Sequence, residues 1–72
     1  MRRNKLVKVI FDKCKNKEGL TRRQGEIVNC FESIAEFCFN EHTTWEKVLR
    51  QEIKGFIYNN DYSQLEEIFK GV

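Results

Sequence analysis

Apolar residues recur along this chain at helical spacing, and the segment starts carry side chains able to cap a helix. The clearest pattern begins at Leu20-Thr21-Arg22-Arg23-Gln24. Thr21 with Gln24 three residues on forms a capping box, in which the hydroxyl and the amide side chain satisfy free backbone groups of the first turn. Gly19 just before it supplies the break from the preceding segment. From Arg22 to about Asn40, at about 100° per residue, Ile27, Val28, Cys30, Phe31, Ile34, Ala35, Phe37, Cys38 and Phe39 fall in one wide arc. Glu26, Asn29, Glu32, Ser33, Glu36 and Asn40 take the opposite side. An arc that wide needs neighbours on more than one side, so this segment is expected to be the central helix.

Thr43-Thr44-Trp45-Glu46 reads as a second capping box, opening a helix from about Thr44 to Tyr58. Trp45, Val48, Leu49, Ile53, Phe56 and Ile57 share one face, with Glu52 projecting inside it. An unpaired carboxylate there must reach solvent, find a base or hold a proton. Asn59-Asn60-Asp61 is turn chemistry, and Ser63-Gln64-Leu65-Glu66 reads as a third box for a short terminal helix closed by Gly71. The first segment, Lys5 to Lys15, is ambiguous. As a helix capped by Asn4 it groups Leu6, Val7, Ile10, Phe11 and Cys14 and leaves Val9 astray; as a strand it has no partner within the chain. The helix is favoured. The expected fold is therefore all-α, one compact domain of three or four helices spanning residues 1–72 with residues 22–40 at its centre. The centres of the two strongest arcs predict a core of Ile27, Phe31, Ile34, Cys38, Trp45, Leu49, Ile53 and Phe56.

Length changes the picture in one respect. Seventy-two residues leave little interior, and small domains without disulfides or metals often complete their cores by association. With Phe37 and Phe39 at the two edges of the central arc, a homodimer is expected. Composition argues against disorder, since 40% of residues are hydrophobic and the net charge is only +2. No apolar run approaches a membrane span, and no segment has the form of a signal peptide, so a cytoplasmic protein is expected. Three cysteines, Cys14, Cys30 and Cys38, without a Cys-x-x-Cys spacing suit free thiols better than a disulfide or zinc framework. Cys38 and His42 lie four residues apart, but no second ligand pair accompanies them.

The charge is segregated. Residues 1–24 carry nine Lys and Arg against Asp12 and Glu18, a net +7, whereas residues 25–72 carry four bases against nine acids, a net −5. A basic surface of Arg2, Arg3, Lys5, Lys8, Lys15, Arg22 and Arg23 is the candidate contact with phosphate or with an acidic protein. Arg22 and Arg23 oppose the dipole of the helix they begin, which hints that an anionic partner offsets them. No glycine-rich phosphate loop and no Ser/His/acid set is present, so neither enzyme chemistry nor a cofactor or metal is expected.

Leu20-Thr21-x-Arg23, followed by Ile27 and Val28, resembles the start of the first helix in LuxR-type and sigma-factor helix-turn-helix domains over about ten residues. The resemblance implies a DNA-binding regulator. The rest departs from that pattern: the helix runs on through Phe39, and the next one mixes Glu46 and Glu52 with Lys47, Arg50 and Lys54. No family is assigned on it. The leading expectation is a small regulatory or adaptor protein that binds a protein partner. A nucleic-acid-binding, helix-turn-helix-like regulator using the basic first third is the alternative, and membrane attachment ranks below both.

Overall fold

The computed structural model describes residues 2–70, and these form four helices: α1 (Arg3–Lys15), α2 (Arg22–Cys38), α3 (Trp45–Asn59) and α4 (Ser63–Ile68). Among the described residues there is no strand. The ambiguous first segment is thus a helix, and its extended alternative is excluded. Its start differs from expectation. Arg2, in extended conformation, occupies the cap position without a side-chain bond. Asn4 is the second residue of the helix, and its Oδ1 accepts a hydrogen bond from the Tyr58 hydroxyl. Val9 is half-buried and packs against the core rather than standing apart.

At α2 the capping box forms as expected. Thr21 Oγ1 accepts from the Gln24 amide at 3.2 Å, and Gln24 Oε1 accepts from the Thr21 amide at 3.1 Å. Gly19 turns the chain ahead of it with φ +69°, a left-handed conformation that costs a glycine nothing sterically. The other two boxes do not close. Thr44, not Thr43, caps α3, accepting from the Lys47 amide at 3.1 Å, so its third residue is a lysine that cannot reciprocate. At α4 the Ser63 side chain makes no cap; Asp61 Oδ1 accepts from the Ser63 amide at 3.0 Å instead. That hydrogen bond, with a second from the Ser63 side chain and the charge of Arg3, holds the Asp61 carboxyl below its ordinary pKa. The expected closure at Gly71 lies outside the described residues.

α3 packs on both α1 and α2. The Tyr58–Asn4 bond at one end and a Lys15 Nζ–Glu46 Oε2 pair of 3.5 Å at the other set α1 and α3 antiparallel. α2 touches the remaining three helices, reaching α4 through Gln24 Nε2, which donates to the Ile68 carbonyl at 2.9 Å. One core cluster joins Leu6, Ile10, Val28, Ala35, Leu49, Ile53, Ile57 and Phe69 with their neighbours.

The predicted core is corrected in part. Phe31, Leu49 and Ile53 are buried, Ile27 and Trp45 are half-buried, and Ile34, Cys38 and Phe56 are exposed. The reason is the phase of α2. Its buried face is Gln24, Val28, Phe31 and Ala35, turned away from the middle of the apolar arc. Gln24, polar but buried, is satisfied there by its bonds to Thr21 and Ile68. Phe56 packs edge-to-face on Phe31, ring centroids 6.0 Å apart, at the surface rather than within.

Candidate binding surfaces

The basic residues singled out in the sequence divide among different surroundings. Arg2 and Lys5 are exposed on α1. The Arg3 guanidinium stacks 4.4 Å from the centre of the Tyr62 ring, a cation–π contact that ties the start of α1 to the start of α4. Arg22 Nε lies 3.6 Å from Glu26 Oε1 within α2, so a neighbour one turn on already answers part of its unfavourable position at a helix start. Arg23 is exposed beside it. Lys8 and Lys15 face α3. Lys8 lines a cleft of about 350 Å3 between α1 and α3, together with Asn4, Val7, Asp12, Arg50 and Lys54. Next to it the Phe11 ring carries two cations, Arg50 at 4.5 Å and Lys15 at 5.6 Å.

Arg50 and Lys54 were absent from the residues chosen by charge along the chain, because they belong to its acidic portion. The signal was present: Lys47, Arg50 and Lys54 follow helical spacing on one face of α3. Folding α3 antiparallel against α1 brings that face beside Lys8 and Lys15. The resulting patch is punctuated by Asp12 and Glu46, the latter paired with Lys15.

A second surface is apolar. A cleft of about 220 Å3 lies between α2, the end of α3 and α4, lined by Ile27, Cys30, Phe31, Ile34, Phe56 and Leu65. Glu52 stands at its border, half-buried beside Phe31, Ile34 and Phe56 in an adjoining hollow that also reaches Asn59 and Asn60. Further along α2, Phe37 is 91% exposed, and Phe39 just past the helix end is 51% exposed. For a chain of this size that is a large share of its aromatic surface left in water.

The thiols and carboxylates lie in separate surroundings. Burial first, then the negative charge of Glu32, pushes the Cys14 thiol up to about 11, with Lys17 opposing the shift. A nucleophilic cysteine needs the opposite displacement, so Cys14 is a packing residue. Lys17 Nζ sits 2.9 Å from Glu32 Oε1, and this hydrogen bond, partly countered by desolvation, raises the lysine above its ordinary value. Cys38 is exposed, and His42 Nε2 lies 3.5 Å from Glu41 Oε1. Among the described residues no three His, Cys, Asp or Glu side chains are grouped to hold a metal ion, and no helix is long and apolar enough to cross a membrane. Comparison with family models, curated proteins and solved structures finds no match to this chain.

Proposed function

We propose that this chain is a small regulatory or adaptor protein that acts by binding another macromolecule, with the α1–α3 face as the contact surface and an acidic protein segment as the partner. The observation that carries the reading is the convergence of Lys8, Arg50 and Lys54 on one cleft, beside a Phe11 ring already holding two cations. Asp12 and Glu46 on the same face favour a protein over a nucleic acid. A continuous phosphate backbone would meet both carboxylates, whereas a protein surface can place a base opposite each. Within this reading the chain works in a reducing cytoplasm, consistent with its exposed free thiols, and as a homodimer, consistent with the exposed apolar side chains of α2.

The test is capture of cross-linked partners from native extract by the wild-type chain and by a Lys8→Glu, Arg50→Glu, Lys54→Glu variant. The reading expects partners lost from the variant, and equal capture by both would sink it. The nucleic-acid alternative keeps one point in its favour: Arg50 and Lys54 extend the row begun by Lys8 and Lys15. It forecasts binding to duplex DNA with log affinity falling about five units per tenfold rise in salt for about six phosphate contacts. Binding that vanished by about 100 mM salt would be the non-specific attraction of any basic patch and would remove that alternative.

A further inference from the structure

We infer that the α1–α3 cleft is a receptor for a phosphoryl group, carried as a phosphate monoester on a side chain of the partner's acidic segment. The inference rests on the adaptor reading and names the chemistry that its contact face selects. The register of the two helices supplies the starting point. The Tyr58 hydroxyl bonds Asn4 at one end of the pair, and Lys15 meets Glu46 at the other. One turn along from Asn4 and Tyr58, Lys8 comes opposite Lys54, and a turn further on Asp12 comes opposite Arg50. All four line the cleft of about 350 Å3. Two lysines thus share one layer of it, and among the described residues neither has an ion pair. Like charges in one cleft repel in the free protein, and an anion seated between them removes that cost.

The groups around the lysines are already held in place. The Tyr58 hydroxyl donates to Asn4 Oδ1, which leaves the Asn4 Nδ2 as a donor at the same end of the cleft. The Arg50 guanidinium lies 4.5 Å from the centre of the Phe11 ring. Stacking uses the face of a guanidinium and leaves the N–H groups at its edge to bond an anion. A cation so held loses less freedom on binding than a loose one. The charge then selects the ligand. Lys8, Arg50 and Lys54 against Asp12 give the cleft a net +2. A phosphate monoester brings about two negative charges at neutral pH and three terminal oxygens, enough to reach both lysines and a third donor. An aspartate or glutamate brings one charge and two oxygens, and leaves one lysine unanswered. Each phosphodiester of a nucleic acid also brings a single charge, and the strand on either side would run against Asp12 and Glu46. The monoester matches the cleft in both charge and number of acceptors.

Fluorescence anisotropy with labelled probes tests this. The probes are an oligo-aspartate peptide with a central phosphoserine, the same peptide with glutamate in its place, and a single-stranded DNA oligonucleotide. The phosphoserine peptide is expected to bind about tenfold or more tighter than the glutamate form, the gain from an added charge and charge-assisted hydrogen bond. Lys8→Gln and Lys54→Gln should each abolish that preference. Arg23→Gln, the same loss of charge on a different helix, should keep it. Lys8 and Lys54 are both exposed, so circular dichroism of the variants should show unchanged helix content. As a second measurement, inorganic phosphate should raise the melting temperature of the wild type above that in sodium chloride of equal ionic strength, and neither glutamine variant should respond. Equal affinity for the phosphoserine and glutamate peptides would overturn the phosphoryl inference while leaving the acidic-segment reading standing. A preference that survived both glutamine variants would move the site out of the cleft and overturn it as well. Tighter binding of the oligonucleotide than of the phosphoserine peptide would overturn both inference and reading. Binding of none of the probes would overturn the inference alone, since capture by the charge-reversed variant decides the reading separately.

Discussion

α1 and α2 reverse the ranking that their apolar residues suggest. α1 places five side chains in the interior, Leu6, Val7, Ile10, Phe11 and Cys14, and its charged residues are exposed except Lys13, which is half-buried. α2, longer and richer in apolar residues, buries four, one of them Gln24. Leu6 and Ile10 are fully shielded, whereas Phe37 stands almost wholly in solvent. The difference follows from what lies opposite. α1 runs antiparallel to α3 and shares one core cluster with Leu49, Ile53 and Ile57, so its narrow stripe is covered. α2 has an arc too wide for its neighbours to cover. Hydrophobicity sets how much a helix gains from burial, but the number and length of the surrounding helices decide how much of it is buried.

The largest expected effect contrasts the two regions directly. Ile10→Ala should destabilise the fold by about 2–5 kcal/mol, since it opens a cavity in the fully buried core that its neighbours fill only in part. Phe37→Ala, measured by urea denaturation of the dilute chain, should stay within about 0.5 kcal/mol of wild type. Comparable losses at the two sites would break the comparison.

Cys14 gives a pH-dependent version of the same contrast. Its folded pKa of about 11 lies above the ordinary thiol value of 9.0, so the folded thiol keeps its proton after the unfolded one has lost it. The associated stability is complete below pH 9 and is lost as pH rises through 11, by about 2–3 kcal/mol in total. Denaturation of wild type and Cys14→Ala across that window should show the extra loss in wild type alone. At neutral pH the exposed Cys30 and Cys38 should react with a maleimide while Cys14 stays protected until the chain unfolds.

Gln24→Ala probes how α4 is fastened to α2. It removes half of a capping box and the bond to the Ile68 carbonyl, a loss of about 1–2 kcal/mol. Hydrogen exchange should accelerate first in α4, which this bond fastens to α2. Uniform acceleration across all four helices would show that Gln24 acts only as a cap. Glu32→Gln is the mildest change. It withdraws the negative charge that adds to burial in raising Cys14, so the extra loss of stability of the wild type between pH 9 and 11 should shrink in denaturation curves, with helix content unchanged.

The candidate surfaces were legible to different degrees. Lys8 and Lys15 could be chosen from charge along the chain, but Arg50 and Lys54 could not, because a cluster in space need not be a cluster in sequence. Arg3 and Arg22 were chosen for their charge and turn out to be engaged with Tyr62 and Glu26. Of the three capping boxes expected, the one at Thr21 forms as drawn because both of its partners have the right chemistry at the right spacing. At Thr44 the third residue is lysine, and at Ser63 the aspartate two residues earlier supplies the acceptor.

By itself the sequence determined what is local. Helix existence, type and approximate ends follow from periodicity, from Gly19 and from the turn residues at 59–61, because each depends on groups within a few residues of one another. Tertiary structure alone decided which part of each apolar arc became interior. That choice depends on where a neighbouring helix lies, and a helical wheel specifies a direction without specifying what stands in it. In α2 the side that meets neighbouring helices carries Gln24, Val28, Phe31 and Ala35, so a polar side chain lies inside, bonded to a carbonyl forty-four residues away, while Ile34 and Phe37 stay at the surface.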